Sequence, residues 1–127
     1  MNIMVLGAGL MGPAAAFNAM TDPAVTKVTV CDLNEDQLAQ CRARLEGKSG
    51  AHKVVYQPLD LSDQNATMAA MKDHQAGIAA LPRAASLLAI PSALKTGMPL
   101  MDLTRIPNEV IAGLEAEYTD AAGVIVL

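Results

Sequence analysis

The sequence predicts an α/β fold, a doubly wound parallel sheet with helices on both faces. Three observations support this prediction. Short apolar runs of strand length alternate along the chain with amphipathic segments of helix length. Hydrophobic residues make up 52% of the chain, which is enough to build a core. The length of 127 residues suits one domain, covering residues 1–127.

Six strands are predicted from the apolar runs. The first run is rich in branched residues, which favour extended backbone. The fourth run is wholly apolar after Gly77, as expected for a strand that is buried on both faces. The predicted strands cover residues 2–6, 27–31, 52–57, 76–81, 98–103 and 124–127.

The first two predicted helices carry clear start or stop signals. The first covers residues 10–20 and is broken by Asp22-Pro23. The second begins after Asn34, an N-cap residue, with Gln37 as its capping-box partner. This helix runs to about Glu46, where a segment with two glycines follows.

The other three helices follow strands three, four and five. Ser62 is the predicted N-cap of a helix that reaches about Asp73. The next helix covers residues 83–96. Pro91 lacks an N–H donor and would clash one turn back, so we expect a kink or two short helices there. Pro107 suits the first turn of the last helix, which runs to about Ala122.

A complete G-x-G-x-x-G motif follows strand one and opens the first helix. Its first glycine would form the tight turn, its second would leave room for a pyrophosphate, and its third would let the helix pack closely on the strand. The helix N-terminus would present free N–H groups to the phosphates. The motif predicts a dinucleotide-binding Rossmann fold with the strand order 3-2-1-4-5-6. We expect cofactor contacts from Gly7, Ala8, Gly9, Leu10, Met11 and Gly12.

An acidic residue ends strand two, about 20 residues after the motif, where Rossmann folds bind the adenosine ribose. This residue is Asp32, and we place both Asp32 and the following Leu33 in the cofactor site. A carboxylate there accepts hydrogen bonds from the ribose hydroxyls and repels a 2′-phosphate. We therefore expect NAD rather than NADP. The alternative stays open because Arg42 and Arg44 are near enough in sequence to reach a phosphate.

The ends of the other strands supply further candidates, because ligands of open parallel sheets bind at the carboxyl ends of the strands. Two candidates follow strand three and would border the adenine, although the first of them, Asp60, can equally cap the next helix. Three more end strand four, on the path to the nicotinamide ribose. Strand five ends nearer the nicotinamide, where Asp102 either faces a substrate or caps a helix. The candidates placed in the cofactor site are Asp60, Leu61, Ala80, Leu81 and Pro82.

Composition argues against several other functions. The net charge of −4 and the aromatic content of 2% argue against a nucleic-acid partner. No run of about 18 apolar residues predicts a membrane span, so we expect a cytoplasmic protein. His52 and His74 lack partners at metal-ligand spacing, so no metal site is expected. Cys31 and Cys41 could pair, but we expect reduced core thiols.

Five stretches, taken together and in order, carry a family resemblance. They cover residues 3–12, 28–32, 59–63, 79–82 and 101–104, and include Leu59-Asp60-Leu61-Ser62-Asp63 and Met101-Asp102-Leu103-Thr104. In this set the chain resembles the saccharopine dehydrogenase family, and specifically the N-terminal domain of its lysine 6-dehydrogenase-like branch. The resemblance covers essentially the whole chain.

This resemblance implies an NAD(P)-dependent oxidoreductase that acts on a carbon–nitrogen bond of an amino acid. It matches the three motif glycines and Asp32 to cofactor-contacting positions, Leu61 to an adenine-side position, and Leu81 and Pro82 to the strand-four contact. The family also has a second domain that completes the substrate site and mediates dimerisation.

We therefore expect the chain to be the cofactor domain of a longer protein. Such a domain would bind the dinucleotide but would be inactive alone. The parent protein would take a small amino-acid-like substrate and could form a homodimer. The alternative is a free-standing NAD-sensing domain with a regulatory role and no catalytic activity.

Overall fold

A six-stranded parallel sheet organises the structure, a computed structural model that describes residues 1–118 and 125–126. The strand order is β3-β2-β1-β4-β5-β6, which confirms the predicted doubly wound Rossmann topology. The strands are β1 (Asn2–Leu6), β2 (Lys27–Asp32), β3 (Val54–Pro58), β4 (Ala76–Ala79), β5 (Leu100–Asp102) and β6 (Ile125–Val126). The helices are α1 (Gly12–Met20), α2 (Glu35–Leu45), α3 (Gln64–Met71), α4 (Arg83–Thr96) and α5 (Asn108–Glu117).

Each face of the sheet carries its own core, because successive side chains of a strand point to opposite faces. Val5 of β1 packs in a cluster with residues of α1 and α2, whereas the neighbouring Met4 packs with residues of α3 and α4. The cysteines are divided in the same way, with Cys41 in the first cluster and Cys31 in the second. Both thiols are free and buried, as expected.

The first helix begins two residues later than predicted. The structure starts α1 at Gly12, with Met11 as the N-cap residue, whereas the sequence predicted a start at Leu10. Leu10 belongs to the preceding turn, where its side chain is 86% exposed. Leu10 is therefore an exposed apolar residue of the turn and does not belong to the buried face of α1.

The N-cap of α3 is Asp63 and not Ser62, which corrects the prediction. The Asp63 carboxylate accepts a hydrogen bond from the Ala66 N–H at 3.0 Å. The Ser62 hydroxyl donates instead to the Asp60 carboxylate. Strand β3 also begins later than predicted, because residues 51–53 form a single 3₁₀ turn.

Helix α4 spans residues 83–96 as predicted, and it continues through Pro91. The alternative of two short helices is therefore wrong, because the buried Ala89, Ile90 and Ala93 hold both sides of the proline in the core. Helix α5 begins one residue after Pro107 and ends at Glu117. Tyr118 is its C-cap residue, and residues 119–122 of the predicted helix lie outside the described residues. Within the described ranges no helix is both long and apolar enough to span a bilayer.

Candidate dinucleotide-binding site

The turn between β1 and α1 requires two of its glycines. Gly7 has φ +99°, in the left-handed region that favours glycine. A Cβ atom at Gly7 would overlap the carbonyl oxygen of Ala80, and one at Gly12 would overlap the carbonyl oxygen of Gly7. The close packing expected at Gly12 is thus against the turn itself. The nearest atom of β1 is Val5 Cγ1, 3.9 Å from such a Cβ.

The middle glycine leaves the turn open. A Cβ atom at Gly9 would meet no other atom within 4 Å, so the fold itself does not require glycine there. Met11 makes no side-chain capping hydrogen bond to the first turn of α1. The first N–H groups of a helix lack intrahelical acceptors, and this arrangement suits an anionic group. Pro13 removes one of these donors.

The Asp32 side chain joins the end of β2 to this turn. Its Oδ2 atom accepts a hydrogen bond from the Ala8 N–H, and its Oδ1 atom accepts one from the Asn34 N–H, both at 2.8 Å. The Gly7 N–H donates to the carbonyl oxygen of Cys31 at 2.7 Å. Asp32 therefore fixes the conformation of the loop in addition to facing the cavity beside it.

Only one of the two interactions of the predicted capping box is present at the start of α2. Asn34 Oδ1 accepts hydrogen bonds from the N–H groups of Asp36 and Gln37, which confirms Asn34 as the N-cap. The reciprocal bond from the Asn34 N–H to Gln37 is replaced, because Asp32 already accepts from that N–H. The Gln37 side chain instead lines the cavity.

A cavity of about 660 Å³ runs along the carboxyl edge of the sheet. It brings together all but two of the residues predicted from the sequence to contact a cofactor. Those that line it are Gly7, Gly9, Leu10, Met11, Asp32, Leu33, Asp60, Leu61, Ala80, Leu81 and Pro82. Ala8 and Gly12 lie in the same loop but are buried behind it, and Ala8 turns its N–H toward Asp32.

Several wall residues were missed by sequence reasoning. Leu103 and Thr104 were identified only as strand-end residues, and both line the cavity. The others are Leu6, Cys31, Asn34, Gln37, Leu59, Ser62, Ala85 and Leu88. Gln37 and Leu88 lie on helices that begin at the cavity edge. The signal that could have found them is helical spacing, in steps of three residues, from the N-cap Asn34 to Gln37 and from Pro82 through Ala85 to Leu88.

One tripeptide pattern recurs at three strand ends. Asp32-Leu33-Asn34 begins at the last residue of β2, and Asp102-Leu103-Thr104 begins at the last residue of β5. Asp60-Leu61-Ser62 lies just after the end of β3. In each, the aspartate Oδ1 atom accepts a hydrogen bond from the N–H two residues later, at 2.8, 2.7 and 2.9 Å respectively. Each leucine lines the cavity. The turns therefore present three apolar side chains along one edge, suited to contact flat rings.

The ionisable groups on the wall fit a binding site better than a nucleophilic site. Hydrogen bonds from the Ser62 hydroxyl and backbone N–H lower the pKa of Asp60 and keep it charged. Burial, with a smaller contribution from Asp32, raises the pKa of Cys31 to about 12. The Cys31 thiol therefore stays protonated and is a poor nucleophile at neutral pH. In residues 1–118 and 125–126, no three His, Cys, Asp or Glu side chains are grouped to hold a metal.

The glycine turn, the acid at the end of β2 and the cavity along the carboxyl edge define a Rossmann-type dinucleotide-binding domain. The sequence model of the saccharopine dehydrogenase NADP binding domain matches residues 3–126. The chain belongs to this family, which confirms the resemblance seen in the sequence.

Solved structures show the same fold at low sequence identity. Apo saccharopine dehydrogenase (L-Glu forming) from Saccharomyces cerevisiae is 20% identical, with a TM-score of 0.78 over 98% of this chain and 26% of that protein. Quinate dehydrogenase from Corynebacterium glutamicum, in complex with NAD, is 16% identical, with a TM-score of 0.67 over 98% of this chain and 43% of that protein. This chain thus spans between a quarter and a half of the length of these two proteins.

Proposed function

We propose that this NAD(P)-binding domain holds NAD in preference to NADP, for an oxidoreductase that acts on a carbon–nitrogen bond of an amino acid. The observation that carries the proposal is the position of Asp32, bonded to the glycine turn and exposed to the cavity. If the glycine turn binds the phosphates of a dinucleotide, the Asp32 carboxylate lies where it can contact the adjacent ribose.

The free acceptor positions of Asp32 support binding of an unmodified ribose. An ionised carboxylate has about four lone-pair sites. One site on each oxygen accepts a backbone N–H, from Ala8 and Asn34. The remaining sites can accept from the two ribose hydroxyls of NAD. The 2′-phosphate of NADP would instead meet a fixed negative charge.

The two arginines that kept NADP open as an alternative do not line the cavity. The guanidinium carbon of Arg42 lies 4.8 Å from the ring centroid of Tyr56, in a cation–π contact between α2 and β3. Arg44 does not line the cavity either. The positive charge that a 2′-phosphate needs is therefore not supplied at the cavity by these two side chains.

The other residues that line the cavity would contact the remaining parts of the dinucleotide, in the order in which their strands lie in the sheet. Leu33, Asp60 and Leu61 would contact the adenine, and the open backbone at Gly9 would contact the pyrophosphate. Leu81 and Pro82 would contact the nicotinamide ribose. When bound, the nicotinamide supplies the hydride chemistry, and the domain binds and orients it.

The reaction itself is proposed from the family. The family name and the yeast enzyme's name both refer to saccharopine, an amino-acid derivative. We propose that catalytic acids and bases, the substrate pocket and any homodimer contact belong to further parts of a longer parent protein.

Calorimetric titration with NADH and NADPH tests the proposal. We expect Asp32→Asn to weaken NADH binding at least about tenfold, the effect of losing hydrogen bonds to a charged group. The same variant should lose most of its preference for NADH over NADPH. Asp36→Asn is the matched control, because Asp36 is an exposed acid of α2 that does not line the cavity.

Equal affinity of the unchanged protein for NADH and NADPH would contradict the preference for NAD. A second arm uses the parent enzyme with NAD and pairs of amino acids and matching hydroxy acids, and follows NADH fluorescence. Turnover of the hydroxy acids alone would contradict the proposed carbon–nitrogen chemistry.

A further inference from the structure

The end of β5 holds one hydroxyl group of the cavity wall in a fixed orientation. Thr104 lines the cavity, and its N–H and Oγ1–H both donate to the Asp102 Oδ1 atom, at 2.7 and 2.5 Å. Asp102 is only 3% exposed. Water therefore has little access to the carboxylate with which to compete for these two bonds.

The fixed orientation decides what the hydroxyl can bind. A threonine hydroxyl carries one proton and two lone pairs. Its proton is already donated to Asp102, so toward the cavity Thr104 Oγ1 can act only as an acceptor. The second carboxylate oxygen, Oδ2, is buried and has no hydrogen-bond partner among the described residues. Within this part of the chain, the Asp102 carboxylate is therefore hydrogen-bonded to Thr104 alone.

A half-satisfied buried acid is costly to a fold and is expected mainly where function requires it. Ser62 provides the comparison within the chain. Its hydroxyl donates to Asp60 Oδ1 at 2.6 Å in the same kind of turn, but Asp60 is exposed, so water can replace that bond. Of these two turns, the turn after β5 differs because its hydroxyl, that of Thr104, is held by a buried carboxylate.

The strand order places Thr104 relative to a bound dinucleotide. Asp32 ends β2, on one side of the glycine turn after β1, whereas Thr104 follows β5, two strands away on the other side. A dinucleotide whose adenosine ribose lies at Asp32 and whose pyrophosphate lies at the turn extends its second half toward β4 and β5.

We propose that Thr104 is a specificity-determining residue, whose Oγ1 atom accepts a hydrogen bond from an N–H or O–H group of the nicotinamide riboside half of the cofactor. Asp102 is the positioning residue that keeps Thr104 in this acceptor state. The proposal rests on the proposed function, because the ligand is the same dinucleotide. Both the carboxamide and the ribose hydroxyls of that half carry suitable donors.

The experiment compares NADH with ADP, which lacks the nicotinamide riboside. We expect Thr104→Val to lower NADH affinity about five- to tenfold, the effect of one lost hydrogen bond, and to leave ADP affinity unchanged. Thr104→Ser should restore NADH binding because it keeps the hydroxyl. Thr21→Val is the matched control, because the exposed Thr21 donates its hydroxyl proton to the Asn18 carbonyl oxygen and does not line the cavity. Its ratio of NADH to ADP affinity should equal that of the unchanged protein.

Two further measurements examine the donor and the positioning residue. Asp102→Asn should lower the NADH to ADP ratio by less than Thr104→Val does, because an amide holds the threonine proton more weakly than a carboxylate. The oxidised 3-acetylpyridine analogue of NAD lacks the carboxamide N–H. If Thr104→Val removes discrimination between NAD and this analogue, the donor is the carboxamide. If discrimination persists while the NADH to ADP ratio falls, the donor is a ribose hydroxyl.

Three results would overturn the inference: unchanged NADH affinity in Thr104→Val, an equal loss of ADP affinity, or an equal fall of the ratio of NADH to ADP affinity in Thr21→Val. Failure of the proposed function is distinguishable from these results. In that case the unchanged protein binds neither ADP nor NADH.

Discussion

Asp32 has two roles in the site, because its carboxylate accepts a hydrogen bond from the Ala8 N–H of the glycine turn and also lines the cavity. The spacing between the glycine motif and Asp32 predicted an acid beside the ribose. It could not predict that Asp32 also accepts the Ala8 N–H, 24 positions away, because that bond depends on the pairing of β1 with β2. The requirement for glycine at positions 7 and 12 was easier to predict from the sequence, because it arises from local backbone geometry.

Two substitutions in the turn should separate folding from binding. Gly7→Ala places a Cβ atom on the Ala80 carbonyl oxygen at positive φ, so we expect it to destabilise the fold by more than about 1–2 kcal/mol. Gly9→Ala meets no atom within 4 Å, so the unfolding temperature should change little. The added methyl group should nevertheless weaken NADH binding, because it occupies the approach to the loop amides.

Thermal unfolding and calorimetric titration of the two variants check this prediction. Gly9→Ala with normal NADH affinity would show that no ligand approaches the backbone there. A Gly7→Ala protein as stable as the parent would show that the turn can relax.

The order of the helices and strands was easier to predict from the sequence than the residues at which each of them begins and ends. The alternation of apolar runs predicted all five described helices, and the glycine motif after strand one predicted the order of the strands. The ends depend on which side chain captures each free N–H group. The Asp63 carboxylate, and not the Ser62 hydroxyl, accepts the free Ala66 N–H of α3, and Asp32 accepts the Asn34 N–H that Gln37 was expected to bind. Such competition is decided in three dimensions.

A buried histidine ties the C-terminal end of α3 to β2. The His74 Nδ1 atom lies 2.8 Å from the Ala70 carbonyl oxygen, and its Nε2 atom lies 2.8 Å from Thr29 Oγ1. Because a carbonyl oxygen only accepts, Nδ1 carries the proton and Nε2 accepts from Thr29 in the neutral ring. Burial lowers the pKa of His74 below 6.5, and Lys27 adds to this effect, against opposing contributions from Ala70 and Asp73.

This histidine predicts loss of stability in mild acid. Because its pKa is lower in the folded state, the unfolded chain binds more protons as the pH falls below about 6.5. The free energy of unfolding should then fall by up to about 1.4 kcal/mol per pH unit from this group. Urea unfolding as a function of pH measures the slope. His74→Gln should reduce the slope, whereas the exposed His52→Gln should keep it.

A slope in this pH range that is unchanged by His74→Gln would contradict the assignment. The comparison concerns the slope alone, because either substitution can shift the overall stability.

The topology of the whole molecule assembles the site from distant segments. Parallel pairing places the carboxyl ends of β1 to β5 along one edge, so three aspartate–leucine turns and the glycine loop surround one cavity. The sequence predicted the strand ends that line it. It could not predict which helical side chains, such as Gln37 and Leu88, complete the wall, because this depends on how each helix packs on the sheet.

The most direct test of the account is the mapping of backbone amide chemical shifts during titration with NADH. We predict that the largest changes fall on the glycine loop, residues 7–12, and on Asp32 and Leu33. Lys27 and Gln75, at the amino ends of the strands, should change little. Absence of saturable changes, or changes centred on the amino-end edge of the sheet, would contradict the claim that this loop and this acid bind a dinucleotide.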